Sequence, residues 1–150
     1  MTVWNIRSLM SSVPPSINPK ENLRRARVLM REAQVDELFV LDGGKLVGTL
    51  SESDIWKHCP TTTLVLDDKQ AEELLAQFRV GGVMTLHPPV VAPETTLQEA
   101  VRLFGHSGKH GLPVVEGGVP IGVLTEERVM QAVALLLTQV EQSDGRKEDK

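Results

Sequence analysis

The apolar positions of this chain change period several times, and each change marks an element. Leu23, Ala26, Met30 and Ala33 recur at helical spacing, as one face of an amphipathic helix does. Leu97, Ala100, Val101 and Phe104 repeat that pattern after Thr95-x-x-Gln98, which predicts a capping box. Ahead of each helix a proline-marked piece, 15–18 and 89–92, reads as extended. Apolar runs then predict paired strands, 38–42 with 45–50 and 112–116 with 119–124. Each pair is joined through Gly-Gly, which supplies the positive φ angles of a tight two-residue hairpin. A last helix is predicted to begin at a hydroxyl, from Ser51 to about Cys59 and from Thr125 to about Glu141. The second carries Val129, Val133, Leu136, Leu137 and Val140 along an apolar face. Residues 60–68 read as a loop and 69–77 as a short helix with Ala71, Leu74, Leu75 and Phe78 on one side. Residues 142–150 mix charges without apolar positions and are expected to be disordered.

The two halves of this pattern are one pattern. Displacing the sequence by 74 residues aligns 6–55 with 80–129 without a gap, and 14 of the 50 columns are identical, where roughly 3 are expected from ordinary composition. The shared positions include Met10/Met84, Pro14/Pro88, Pro15/Pro89, Leu23/Leu97, Val40/Val114, Gly48/Gly122 and Glu52/Glu126. Two copies of a β-α-β-β-α unit are therefore expected, with boundaries at 4–59 and 78–141, a linker at 60–77 and a tail at 142–150. One copy of about 50 residues is too small to cover its own sheet and helices, and pairing two would bury the remainder.

Composition narrows the function. With 150 residues, 41% of them hydrophobic, the chain can build a core. A net charge of −4 and the scarcity of aromatics (two Trp, three Phe, no Tyr) argue against nucleic acid as a partner. No apolar run is long enough to span a membrane, and the first ten residues do not resemble a signal peptide. One cysteine, Cys59, excludes an internal disulfide and fits a reducing, cytoplasmic setting.

The candidate chemistry lies in Gly48-Thr49-Leu50-Ser51-Glu52-Ser53-Asp54-Ile55, where a strand feeds a helix. Ser51 stands beside the free N–H groups of a helix start, which favour an anion, and Asp54 offers two acceptor oxygens suited to ribose hydroxyls. The same Ser-x-x-Asp also reads as a helix cap. The second copy is an internal control, because Thr125-Glu126-Glu127-Arg128 begins a helix without the carboxylate. Asp54 is thus not required to start the helix, which favours the ligand reading. Three other motifs are set aside. His106 and His110 have no third ligand nearby, and Gly105, Gly108 and Gly111 are expected to break the helix between them. Gly108-Lys109 lacks the spacing of a phosphate loop, and Cys59 beside His58 does not by itself make a nucleophile and base.

Taken in order, Met-Ser/Thr before Pro-Pro, Leu-Pro-Val-Val at 112–115, the Gly-Gly pairs and Gly-x-Leu-Ser/Thr at 48–51 and 122–125 resemble a tandem pair of CBS domains, a Bateman module. The linker, with Glu72-Glu73-Leu74-Leu75 before Val80-Gly81-Gly82-Val83-Met84, is similar to that of the acetoin-utilisation-type subgroup. The resemblance implies an α/β (α+β) fold of two motifs packed about a pseudo-twofold axis, with two clefts for adenosine-containing ligands. It assigns cleft one to Thr49, Ser51 and Asp54 from the first copy and to Thr85, Val90, Lys109, His110, Gly111 and Pro113 from the second. Cleft two keeps Thr125, but Arg128 replaces the ribose carboxylate, so that cleft is expected to be empty or to take an unusual anion. Asp36 and Glu37 stand where the family often has His and Arg, and acids there would favour AMP, adenosine or S-adenosylmethionine over ATP.

The expected protein is a non-catalytic sensor of an adenosine derivative, AMP, ADP, ATP, NAD or S-adenosylmethionine, with no required cofactor and no metal. It is expected to be a homodimer acting on a regulated protein. The alternative is a structural homodimerisation module whose clefts bind nothing. An enzyme is disfavoured because no base, nucleophile and oxyanion set assembles from these motifs.

Overall fold

Both Gly-Gly pairs make two-residue hairpins, with φ of 60° and 80° at Gly43 and Gly44 and of 60° and 83° at Gly117 and Gly118. The computed structural model describes residues 4–58 and 66–148, with side chains to residue 143. The predicted loop from Pro60 and the single Cys59 lie outside the described residues as far as residue 65. Its elements are α1 (Ile6–Leu9), β1 (Ser16–Ile17), α2 (Leu23–Ala33), β2 (Glu37–Asp42), β3 (Lys45–Ser51), α3 (Glu52–His58), α4 (Asp68–Leu75), a 3-10 turn (Val80–Gly82), β4 (Thr85–Leu86), α5 (Leu97–Ser107), β5 (Gly111–Glu116), β6 (Val119–Thr125) and α6 (Glu126–Glu148).

The helices start where a side chain satisfies their free N–H groups. Asn22 caps α2 by accepting from the Arg25 N–H, and a capping box of Asp67 and Gln70 opens α4. The box on α5 is Thr96 with Glu99, one residue beyond the predicted Thr95 and Gln98. Both pairs fit the spacing, but the Thr95 hydroxyl is engaged by the Ala92 N–H. Gly105 lies inside α5 and does not break it, and the helix ends at Gly108 with φ 66°. Ala33 and Val101, predicted on buried faces, are exposed. Helix α6 continues to Glu148, past the end predicted near Glu141 and through most of the expected disordered tail. No proline interrupts residues 121–150, so backbone bonding carries on where apolar packing stops.

Among the described residues the chain divides into two units that cut across the linear repeats. One holds Val13–Pro88 with Gly117–Val119, and the other holds Met1–Ser12, Pro89–Glu116 and Pro120–Lys150. In the first, β1-β2-β3-β4 form a sheet with β1 parallel to β2 and the other neighbours antiparallel. Its core contains Ile17, Leu23, Ala26, Met30, Leu38, Val40, Leu50, Ile55 and Val80. In the second, β5 pairs with β6, while Val91 bridges Val114 in parallel and Ser11 bridges Val123 antiparallel. Its core contains Ile6, Leu9, Val91, Ala100, Phe104, Leu112, Val114, Leu124 and Val129. The repeat is thus obeyed in reciprocal form. Thr85 from the second copy pairs with Thr49 of the first, and Ser11 from the first copy pairs with Val123 of the second.

Candidate functional site

Strand β3 delivers Thr49, Leu50 and Ser51 to the start of α3, and Thr49 is buried in a run with Gly48 and Leu50. At the junction the Ser51 N–H donates to Asp54 Oδ2 at 2.9 Å, and the Asp54 N–H donates to Ser51 Oγ at 3.0 Å. This is a complete capping box with aspartate in the acidic position. Asp54 is 9% exposed and, with Thr49, is a buried polar side chain among the described residues. Burial of a carboxylate is costly unless donors surround it, and a further donor arrives from β4. The Thr85 hydroxyl lies 3.1 Å from Oδ1 and 3.2 Å from Oδ2 of Asp54. The register Thr49↔Thr85 places it there. Downstream, His58 Nδ1 donates to the Asp54 carbonyl at 2.9 Å, closing the last turn of α3.

The first unit therefore brings Ser51 and Thr85 onto the Asp54 carboxylate, with Thr49 opposite Thr85 in the strand register. The other expected residues of cleft one belong to the second unit. Val90 is exposed beside the bridging Val91, and Pro113 is buried in β5, where its carbonyl accepts from the Val91 N–H at 2.9 Å. Gly111 opens β5, and Lys109 is half-buried, its N–H donating to Ser107 Oγ. His110 has a partner: its Nδ1 lies 3.0 Å from Glu126 Oε2. With Thr125, Glu127 and Met130 this pair lines an open depression of about 420 Å³.

The second unit's own junction is weaker. Thr125 Oγ1 accepts from the Arg128 N–H at 3.3 Å, and Arg128 is exposed and returns no acceptor to the helix start. Half of the capping box is lost with the carboxylate. Asp36 and Glu37 sit at the entrance to β2; the Asp36 carbonyl accepts from the Glu52 N–H at 3.0 Å, as the His110 carbonyl accepts from that of Glu126. Two contacts had no sequence signal. Thr85 and Asp54 are 31 positions apart and meet only through strand pairing, and Arg27 stacks over the Trp56 ring at 5.6 Å to its centre.

The CBS domain family matches residues 6–55 and 80–135, and the chain belongs to it. Over 115 residues, 76% of the chain, it is 33% identical to an inosine-5'-monophosphate dehydrogenase of Korarchaeum cryptofilum, of which the match covers 21%. It is 28% identical to the chloroplastic CBS domain-containing protein CBSX2 of Arabidopsis thaliana over 85% of the chain and 61% of that protein. The chain thus spans less than two thirds of the curated relatives it matches. The crystal structure of CBSX2 superposes with a TM-score of 0.75 at 28% identity, covering 92% of this chain and 99% of that one. CBSX2 in complex with AMP gives 0.70 at 27% identity over 88% and 97%. AcuB from Vibrio cholerae, assigned to acetoin utilization, gives 0.69 at 23% identity over 93% and 98%, a likeness of fold.

Proposed function

We propose that this CBS pair is a non-catalytic regulatory module that binds an adenosine derivative, with Asp54 holding the ribose; the N–H groups of Ser51, Glu52 and Asp54, expected to be free for phosphate, are already bonded within the protein. The carrying observation is the buried Asp54 carboxylate, ringed by Ser51 and Thr85 in one unit, against Arg128 at the corresponding place in the other. The AMP complex of CBSX2 supports an adenosine ligand. Val90, Lys109, His110, Gly111 and Pro113 are the residues that the family resemblance assigns to the base and phosphate. Acids at Asp36 and Glu37 disfavour a triphosphate, so AMP, adenosine or S-adenosylmethionine is preferred to ATP.

A thermal-shift series with AMP, ADP, ATP, NAD and S-adenosylmethionine tests this. Ligand at a hundred times its Kd stabilises the fold by about 2.7 kcal/mol, which raises Tm by several degrees. ATP binding more tightly than both AMP and S-adenosylmethionine would remove the ligand preference. The second reading, a homodimerisation module without a ligand, draws on the exposed Met130, Leu137 and Val140 of α6. It becomes the better account if none of the five compounds shifts Tm.

A further inference from the structure

We infer that Thr85 is the resting occupant of the ribose carboxylate, a competitor that the ligand must displace; this rests on the adenosine reading above. A hydroxyl has one proton to donate. Here that proton is shared between Oδ1 at 3.1 Å and Oδ2 at 3.2 Å of Asp54, the two atoms that a vicinal diol would address with one donor each. The other donor on Oδ2, the Ser51 N–H, is fixed in the backbone. Only the Thr85 hydroxyl sits on a side chain that can turn aside.

Because Asp54 is 9% exposed, its oxygens rely on these donors more than on water for hydrogen bonds. Thr85 meets that need while the site is empty and becomes surplus once two ribose hydroxyls arrive. Its position gives the exchange a consequence. Strand β4 has two residues and is held to β3 through Gly48↔Leu86 and Thr49↔Thr85. After it come His87, with φ 50°, and Pro88, the last residue before the chain passes to the other unit. Release of Thr85 removes a side-chain anchor from this short strand at the crossing. The second unit lacks the exchange, since Ser11 and Arg128 occupy the corresponding positions.

Calorimetric titration of AMP into the wild type, Thr85→Val and Thr85→Ala tests the inference, with Asp54→Asn as the control that loses binding. Both Thr85 variants should bind AMP about tenfold more tightly, one decade being the scale of a hydrogen bond to a charged group. The gain should be smaller for 2′-deoxy-AMP, which offers one hydroxyl. Equal or weaker AMP binding by the variants, with wild-type binding intact, overturns the competitor and leaves the adenosine reading standing. If AMP does not bind, the same titrations with whichever of the other four compounds shifts Tm decide the competitor in the same way, and no binding of any of the five overturns both.

Discussion

Asp54 closes a helix and presents a carboxylate with the same two oxygens. The sequence comparison with Arg128 suggested that the cap did not need it, and Thr125 does start α6 without an acid; yet Asp54 completes the box on α3 and also takes the Thr85 hydroxyl. Asp54→Ala should therefore lower stability by about 1–2 kcal/mol, the scale of a lost cap and its bonds. Arg128→Ala should stay within about 0.5 kcal/mol, as exposed substitutions do. Urea melts of the two variants check the difference, and equal effects would mean that the Asp54 bonds contribute nothing. Ser51 and Asp54 were legible because a cap is local in sequence. Thr85 entered only through family resemblance, since its bond to Asp54, 31 positions away, exists only after β3 and β4 have paired.

At the scale of elements, the glycines explain why the repeat keeps its form. A Cβ on Gly48 would lie 2.8 Å from both Met84 Sδ and the Thr85 carbonyl, and one on Gly122 would lie 2.7 Å from Met10 Sδ and the Ser11 carbonyl. The thioether could yield, but the carbonyls belong to paired backbone. Gly48→Ala and Gly122→Ala should each cost about 1–3 kcal/mol. Gly105→Ala, in α5 with nothing within 4 Å of the added carbon, should gain about 0.5–1 kcal/mol. Thermal melts of the three variants separate these signs. The hairpins were readable from Gly-Gly and the apolar runs on either side, and α2 from its period. Helix α1 was not, because four residues hold no period, and the cap on α5 slipped by one because two threonines compete for it.

For the whole molecule, the apolar face predicted on the last helix divides along its length. Val129 is buried and Val133 and Leu136 are half-buried, whereas Leu137 and Val140 are 58% and 56% exposed. If these cover a homodimer contact, the wild type should show twice the 16.5 kDa chain mass by light scattering, and Leu137→Glu with Val140→Glu should return it to a single chain. A double variant that remains dimeric would move the contact off α6. The repeat showed that two units exist but not how the chain is shared between them, because identity along a diagonal is blind to which copy a short edge segment joins.

That sharing also sets a timetable. Ser11 bridges Val123, 112 positions later, and Asn5 bridges Thr96. At about 5–20 residues per second of synthesis, the leading segment waits roughly 6–22 s for its strand to emerge. The first unit has no such delay beyond residue 88 apart from Gly117–Val119, so it can assemble while the second is still being made. During that interval Ile6 and Leu9, both buried in the finished protein, have no core to enter.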